Sequence, residues 1–250
     1  VGDSLFNGFE ALRGGSAMDS FKIEDGGTLT GGIDGGGGSD NLISTNADNT
    51  WLLATMNAGS LNGLGFASVE NLLGGTGDDS FVLANGAGVS GTIDGGTDDD
   101  DDGDGTPEAE SDSVDYSAYT TAVTVNLAAS TATGMAGFAA IDSFIGGQSG
   151  SDTVVGPADA SVIWSVTGAD ETEVAGFGFS SFENLTGAAN NTDAFVFAAS
   201  GSLSGVVDGG AGGTDGLAFI DASDNMLAFN PAGADASGTT SAAAFGKAIR

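Results

Sequence analysis

Aspartate at one fixed place in a glycine-rich turn is the most repeated chemical opportunity in this chain. Gly35-Gly36-Gly37-Gly38-Ser39-Asp40-Asn41-Leu42-Ile43 and Gly74-Gly75-Thr76-Gly77-Asp78-Asp79-Ser80-Phe81-Val82 both read GGxGxDxUx, with U apolar. Looser copies end at Asp19, Asp152, Asp193 and Asp215, and an interrupted one starts at Gly95-Gly96 and resumes at Asp112. A carboxylate held near backbone carbonyls suits a hard cation, and stacked turns can share one. The candidate ligand pairs are Asp19 with Asp40, Asp79 with Asp112, and Asp193 with Asp215. Asp34, Asp94 and Asp208 join them from a recurring Val/Ile-Asp-Gly-Gly step. The same residue types also serve a turn by accepting its backbone N–H bonds. Sequence leaves both uses open.

A second candidate is the acidic insertion over residues 97–112, TDDDDDGDGTPEAESD. Asp100, Asp102 and Asp104 alternate before Gly105, which is the first half of a calcium loop. In that frame Thr106 offers its carbonyl and Glu108 takes the ninth position. Ser111 stands at the twelfth and Asp112 one residue later. The half-loop resembles the DxDGDGxxD calcium loops of thrombospondin type 3 and dockerin-like repeats. A merely solvated acidic loop is the alternative.

Other chemistries are disfavoured. There is no histidine and no cysteine among the 250 residues, which removes the commonest acid–base and nucleophilic groups and any disulfide or thiolate site. We therefore expect no enzyme. A net charge of −31 repels nucleic acid and anionic membranes, and no apolar run is long enough to span a bilayer. The four cations are Arg13, Lys22, Lys247 and Arg250, all near the ends. Trp51 and Trp164 fall at equivalent places after a motif aspartate. They pack a core or grip a sugar ring, so a carbohydrate-binding or polysaccharide-processing β-helix is the rival reading.

The elements that would position these turns follow from a second repeated phrase. Phe9-Glu10-Ala11-Leu12 returns as Val69-Glu70-Asn71-Leu72, Ile141-Asp142-Ser143-Phe144 and Phe182-Glu183-Asn184-Leu185. Short runs of Val, Ile, Leu and Phe between glycine corners read as strands. The turn spacings point to a period of about twenty residues, the size of one β-helix coil. The expected fold is all-β: one parallel β-helix (β-solenoid) over residues 1–250, of roughly eleven coils stacked at about 4.8 Å. Phe21, Leu42, Leu53, Leu72, Phe81, Val125, Phe144, Ile163, Phe195 and Leu217 should point inward. An antiparallel sandwich with glycine-rich hairpins is the competing fold.

The stretch from Val114-Asp115-Tyr116-Ser117 through Val123-Thr124-Val125-Asn126-Leu127 to Thr133-Gly134 resembles the linker phrase of bacterial haemolysin-type, or repeats-in-toxin, proteins. With the GGxGxDxUx copies and the Glu-Asn-Leu phrases the resemblance covers nearly the whole chain, and it is similar in particular to repeat regions of large secreted adhesins and surface-layer-like exoproteins. The resemblance implies secretion to the cell surface or beyond, folding dependent on Ca2+, and a structural or adhesive role. A cell-surface polysaccharide is a further candidate partner. Val1 in place of methionine suggests a processed chain or a segment of something larger. Both ends fall near one phase of the repeat, so head-to-tail self-association into filaments, or a tandem array, is expected.

Overall fold

The computed structural model describes residues 9–97, 111–220, 226–229 and 240–241. All regular structure among them is β: 25 strands and no helix. Most strands are three residues long, with one buried apolar residue between two half-exposed neighbours, as in Gly32–Asp34 and Asn41–Ile43. Glycine-rich corners on either side stop each strand from growing. The chain falls into two compact units, Val1–Ser113 with Gly134–Ala140, and Val114–Thr133 with Ile141–Arg250.

In unit 1 the strands are β1 (Ala11–Arg13), β2 (Ser20–Lys22), β3 (Gly32–Asp34), β4 (Asn41–Ile43), β5 (Asn49–Thr55), β6 (Ala58–Leu61), β7 (Leu64–Ala67), β8 (Asn71–Leu73), β9 (Asp79–Leu83), β10 (Thr92–Asp94) and, by chain order, β14 (Gly137–Ala139). One sheet runs β14-β10-β8-β4-β2 and is parallel throughout. Its register aligns Phe21, Leu42, Leu72, Ile93 and Phe138 in one column. The other runs β1-β3-β7-β6-β5-β9. Here β5, β6 and β7 form an antiparallel meander, while β1 with β3, β3 with β7 and β5 with β9 pair in parallel. The turn from β6 to β7 is Asn62-Gly63, with φ of 49° and 86°, the left-handed pair that a tight hairpin demands.

Unit 2 repeats this plan. Its strands are β11 (Ser113–Asp115, from Val114 onward), β12 (Thr124–Asn126), β13 (Thr131–Ala132), β15 (Ser143–Ile145), β16 (Thr153–Val155), β17 (Ser161–Gly168), β18 (Glu171–Val174), β19 (Phe177–Ser180), β20 (Asn184–Thr186), β21 (Thr192–Phe197), β22 (Val206–Asp208), β23 (Gly216–Ile220), β24 (Met226–Phe229) and β25 (Thr240–Ser241). Strands β12, β16, β20 and β22 pair in parallel and align Val125, Val154, Leu185 and Val207. A second antiparallel meander, β17-β18-β19, matches β5-β6-β7. Trp164 on β17 faces Val174 and Phe195, as Trp51 on β5 faces Leu61 and Phe81. Strands β24 and β25 pair antiparallel to β23 and β22.

Parallel and antiparallel pairing therefore coexist: parallel ladders carry the repeats, and hairpins, absent from the expected parallel coil, sit inside them. Of the inward residues expected, Leu42, Leu53, Leu72, Phe81, Val125, Phe144 and Phe195 are buried. Ile163 is a correction: it is 66% exposed, because β17 points Val162 and Trp164 inward and so places Ile163 on the outer face.

Candidate functional site: columns of acidic turns

The motif aspartates align. In unit 1 the Asp19 N–H donates to Asp40 Oδ1 (2.8 Å), the Asp40 N–H to Glu70 Oε2 (2.9 Å), and the Asp79 N–H to Asp112 Oδ1 (2.7 Å). In unit 2 the Val123 N–H donates to Asp152 Oδ1 (2.8 Å), Asp152 to Glu183 Oε2 (2.8 Å), and Asp193 to Asp215 Oδ1 (3.0 Å). These bonds cross steps of 21, 30 and 33 residues in the first unit and 29, 31 and 22 in the second. The two steps of 30 and 31 residues each enclose a meander, which is why the period is not a constant twenty. Glu70 and Glu183 thus stand in the columns as full members, although the motif does not include them.

Three of the carboxylates also serve their own turns. Asp19 Oδ2 accepts the Gly15 N–H, Asp79 Oδ2 that of Gly75 (2.9 Å), and Asp152 Oδ2 that of Gly147. The Val/Ile-Asp-Gly-Gly aspartates do the same locally: Asp34, Asp94 and Asp208 accept from Gly36, Gly96 and Gly210 at 3.0–3.2 Å. On the exposed side Asp48 caps the Asp78 N–H (3.2 Å), and Asp78 caps that of Ser111 (2.7 Å). The first glycine of the motif is required by closeness. A Cβ on Gly74 would collide with the Gly95 carbonyl oxygen and with Asp79 Oδ2.

These columns are buried. Asp40, Asp152 and Asp193 are fully buried, and Asp79 and Asp112 nearly so. Asp19 and Asp215, at column ends, are only partly covered. Burial pushes Asp79 up to about 6 from 3.8, against smaller opposing contributions from Asn49, the Gly75 N–H and Trp51. Burial also raises Asp193, helped by the charge of Asp215 and opposed by the Trp164 indole and Asn191. Four carboxylate oxygens buried in the columns have no hydrogen-bond partner: Asp40 Oδ2, Asp79 Oδ1, Asp193 Oδ2 and Asp215 Oδ2.

Orphaned carboxylate oxygens beside carbonyls have the right chemistry for a hard cation. Among the described residues, however, no three acidic side chains converge on one point. A cation in these turns would rest on two aspartates and on backbone carbonyls. Of the two uses left open by the sequence, the N–H bonds are made at several turns, and other oxygens of the same carboxylates remain without a partner. Asp100, Asp102, Asp104, Thr106 and Glu108 lie outside the described residues.

The aromatic candidates belong to the core. Trp51 stacks on Phe81 at 5.5 Å and Trp164 on Phe195 at 5.1 Å, both indoles fully buried. Neither face is free for a sugar ring. Arg13 and Lys22 lie on β1 and β2, the last strands of their sheets, in exposed pairs with Asp34 (3.0 Å) and Glu24 (3.2 Å). No protein-family model, no curated protein and no solved structure matches the chain.

Proposed function

We propose that the chain is a structural or adhesive module of a secreted, repeats-in-toxin-like exoprotein, built as a β-solenoid and stabilised by calcium. One observation carries this reading: buried carboxylates stand in columns, one per step of a parallel ladder, with orphaned oxygens and no Lys or Arg beside them among the described residues of those columns. Buried carboxylates without compensation are costly, so such a fold needs protons or cations from solution. Outside a cell, millimolar calcium supplies the latter. The acidic loop from Asp100 to Asp112 adds a second place for the ion. In this reading the protein is a scaffold and performs no reaction.

Strands β1 and β2 end their sheets in parallel register. At that edge no N–H of the described residues bonds Asp19 Oδ1, whereas Asp40, Asp152 and Asp215 each receive one through Oδ1. A further coil of the same kind would supply it, which supports assembly into a filament or tandem array.

Thermal melting followed by far-UV circular dichroism, in calcium and then in chelator, tests the reading. A site filled to about a hundred times its Kd stabilises by about 2.7 kcal/mol, which moves a melting point by several degrees. An unchanged melting point removes the ion. Sizing in both conditions tests the assembly, and compact monomers throughout would reject it.

A further inference from the structure

The outer face of one sheet in unit 1 is neutral, in a chain whose net charge is −31. Strands β1, β3, β7, β6, β5 and β9 turn alternate residues outward. The only charges among those outward residues are Arg13 and Asp34, which pair with each other at 3.0 Å. Register sets one row across the face: Gly32 on β3, Gly65 on β7, Ser60 on β6, Leu52 on β5 and Val82 on β9. Gly32 and Gly65 lie in an open trough completed by Ala11, Ala67, Arg13 and Asp34. Apart from its chain neighbours, nothing comes within 4 Å of where a Cβ on Gly65 would stand. Two strands away Leu52 rises from the sheet, 48% exposed. The row thus has a hollow on one side of Ser60 and a ridge on the other.

We propose that this face docks a second copy of the chain, sheet against sheet, about a two-fold axis running along β6 over Ser60. That axis lays Leu52 of each copy into the Gly65 hollow of the other and sets Val82 over Gly32. One patch is then its own complement, as a two-fold contact requires. Ser60 meets Ser60. Like charge keeps two such acidic molecules apart, and a neutral face is where they can touch. Six strands at about 4.8 Å, each offering about 10 Å of length, give a footprint on the order of 300 Å2 per copy. A lasting interface takes about 800 Å2 per partner. The contact is therefore weak and reversible, with a Kd on the order of 1 mM.

Unit 2 carries the same row with the contact blocked. Its counterpart runs Ser143, Gly178, Glu173, Ser165 and Val196. Glu173 stands in the place of Ser60, so two carboxylates would meet on the axis. Ser165 in the place of Leu52 removes the ridge, and Glu171 in the place of Ala58 adds a second charge. Charges set into an exposed sheet guard it against pairing with another.

Sedimentation equilibrium of the full chain up to about 1 mM tests the proposal, in roughly 1 M NaCl, which shortens charge repulsion to about 3 Å. The wild type should dimerise. Ser60→Glu, a residue the fold already accepts at Glu173, should weaken the dimer at least tenfold, and so should Leu52→Ser. Ile163→Ser, which removes an apolar side chain 66% exposed on unit 2, should change nothing. The chain has no cysteine, so Leu52→Cys mixed with Gly65→Cys should form a disulfide dimer under air oxidation faster than either variant alone. A wild type that stays monomeric would overturn the proposal and leave the face to some other partner. A Ser60→Glu dimer as tight as the wild type, or equal losses in Ile163→Ser and Leu52→Ser, would overturn it as well. All variants share one buffer, so the result stands whether or not calcium binds. Ser60 lies three strands from β1, so end-on addition of a coil there leaves it untouched.

Discussion

Trp51 and Trp164 hold the same position in the two units, yet only one of them bonds the motif aspartate beside it. Trp164 Nε1 donates to Asp193 Oδ1 at 2.9 Å. Trp51 Nε1 and Asp79 Oδ1 are both buried, and although the indole is near enough to lower the Asp79 pKa a little, no hydrogen bond of normal length and angle joins them. The cause lies one strand away. In unit 2, Gly156 follows β16, and the rim of the Trp164 ring fills the space a side chain there would need, with Cζ2 2.5 Å from the place of its Cβ. In unit 1 the corresponding residue is Ser44, whose Oγ accepts from Asn49 Nδ2 (3.1 Å). Asn49 then ties Thr45 and Asn62 into a small polar network. Val162 replaces Asn49 on β17. One unit spends its polar atoms on the corner, and the other clears the corner so that the indole can reach the carboxylate. A buried aspartate in this fold accepts either neighbour, and each keeps one oxygen over, Oδ1 in Asp79 and Oδ2 in Asp193.

The largest expected consequence concerns the tryptophans themselves. Trp164→Phe removes ring volume and also orphans Asp193 Oδ1, for a loss of about 3 kcal/mol. Trp51→Phe removes comparable volume and also deletes an unpaired N–H, for a loss of about 1 kcal/mol. The chain has two tryptophans, one in each unit, so each variant leaves an indole reporting the other unit. Urea unfolding followed by circular dichroism gives both values. Equal losses would mean that the 2.9 Å bond adds nothing.

The next effect is smaller and depends on pH. Asp79, buried and raised to about 6, contributes stability that is complete below 3.8 and fades as pH rises through about 6. In calcium-free buffer the wild-type urea midpoint, followed by Trp51 emission, should fall across that window. Asp79→Asn has no proton to lose there, so its stability should stay level and exceed that of the wild type well above pH 6 by about 3 kcal/mol. A wild-type midpoint that is flat between pH 4 and 7 would contradict this.

Much of the acidic column was legible in the chain, because a ladder leaves its spacing in the sequence. The steps from Asp19 to Asp40, Asp40 to Glu70, Asp152 to Glu183 and Asp193 to Asp215 are visible as recurrences, and each is a hydrogen bond in the structure. The meanders were not legible. The tip after β5 turns at Asn57 and the one after β17 at Asp170, both with positive φ and neither with a glycine or proline at the turn residue itself to announce it. A twenty-residue cut therefore runs through β17 one residue out of register and points Ile163 inward beside Trp164, which packs the core as expected. Nor does a pattern of aspartates reveal what their oxygens bind. The same residue at the same spacing accepts N–H bonds through one oxygen and leaves the other over.

The meanders also differ at their second hairpin. Asn62-Gly63 in unit 1 becomes Ala175-Gly176 in unit 2, with φ of 53° and 88° in place of 49° and 86°. Left-handed backbone is costly for alanine and tolerated by asparagine, whose side chain bonds locally. Asn62 does this: its Oδ1 accepts the Thr50 N–H at 2.8 Å. Ile163 corresponds to Thr50, and Ala175 is exposed, so an asparagine there meets an N–H on one side and water on the other. Ala175→Asn should stabilise unit 2 by about 1 kcal/mol, and Asn62→Ala should cost unit 1 somewhat more, since it also removes the bond to Asn49. Paired urea titrations, read through Trp164 and Trp51 in single-tryptophan backgrounds, measure both. If Ala175→Asn destabilises instead, the two hairpins are not equivalent, and the correspondence between the units ends at β18.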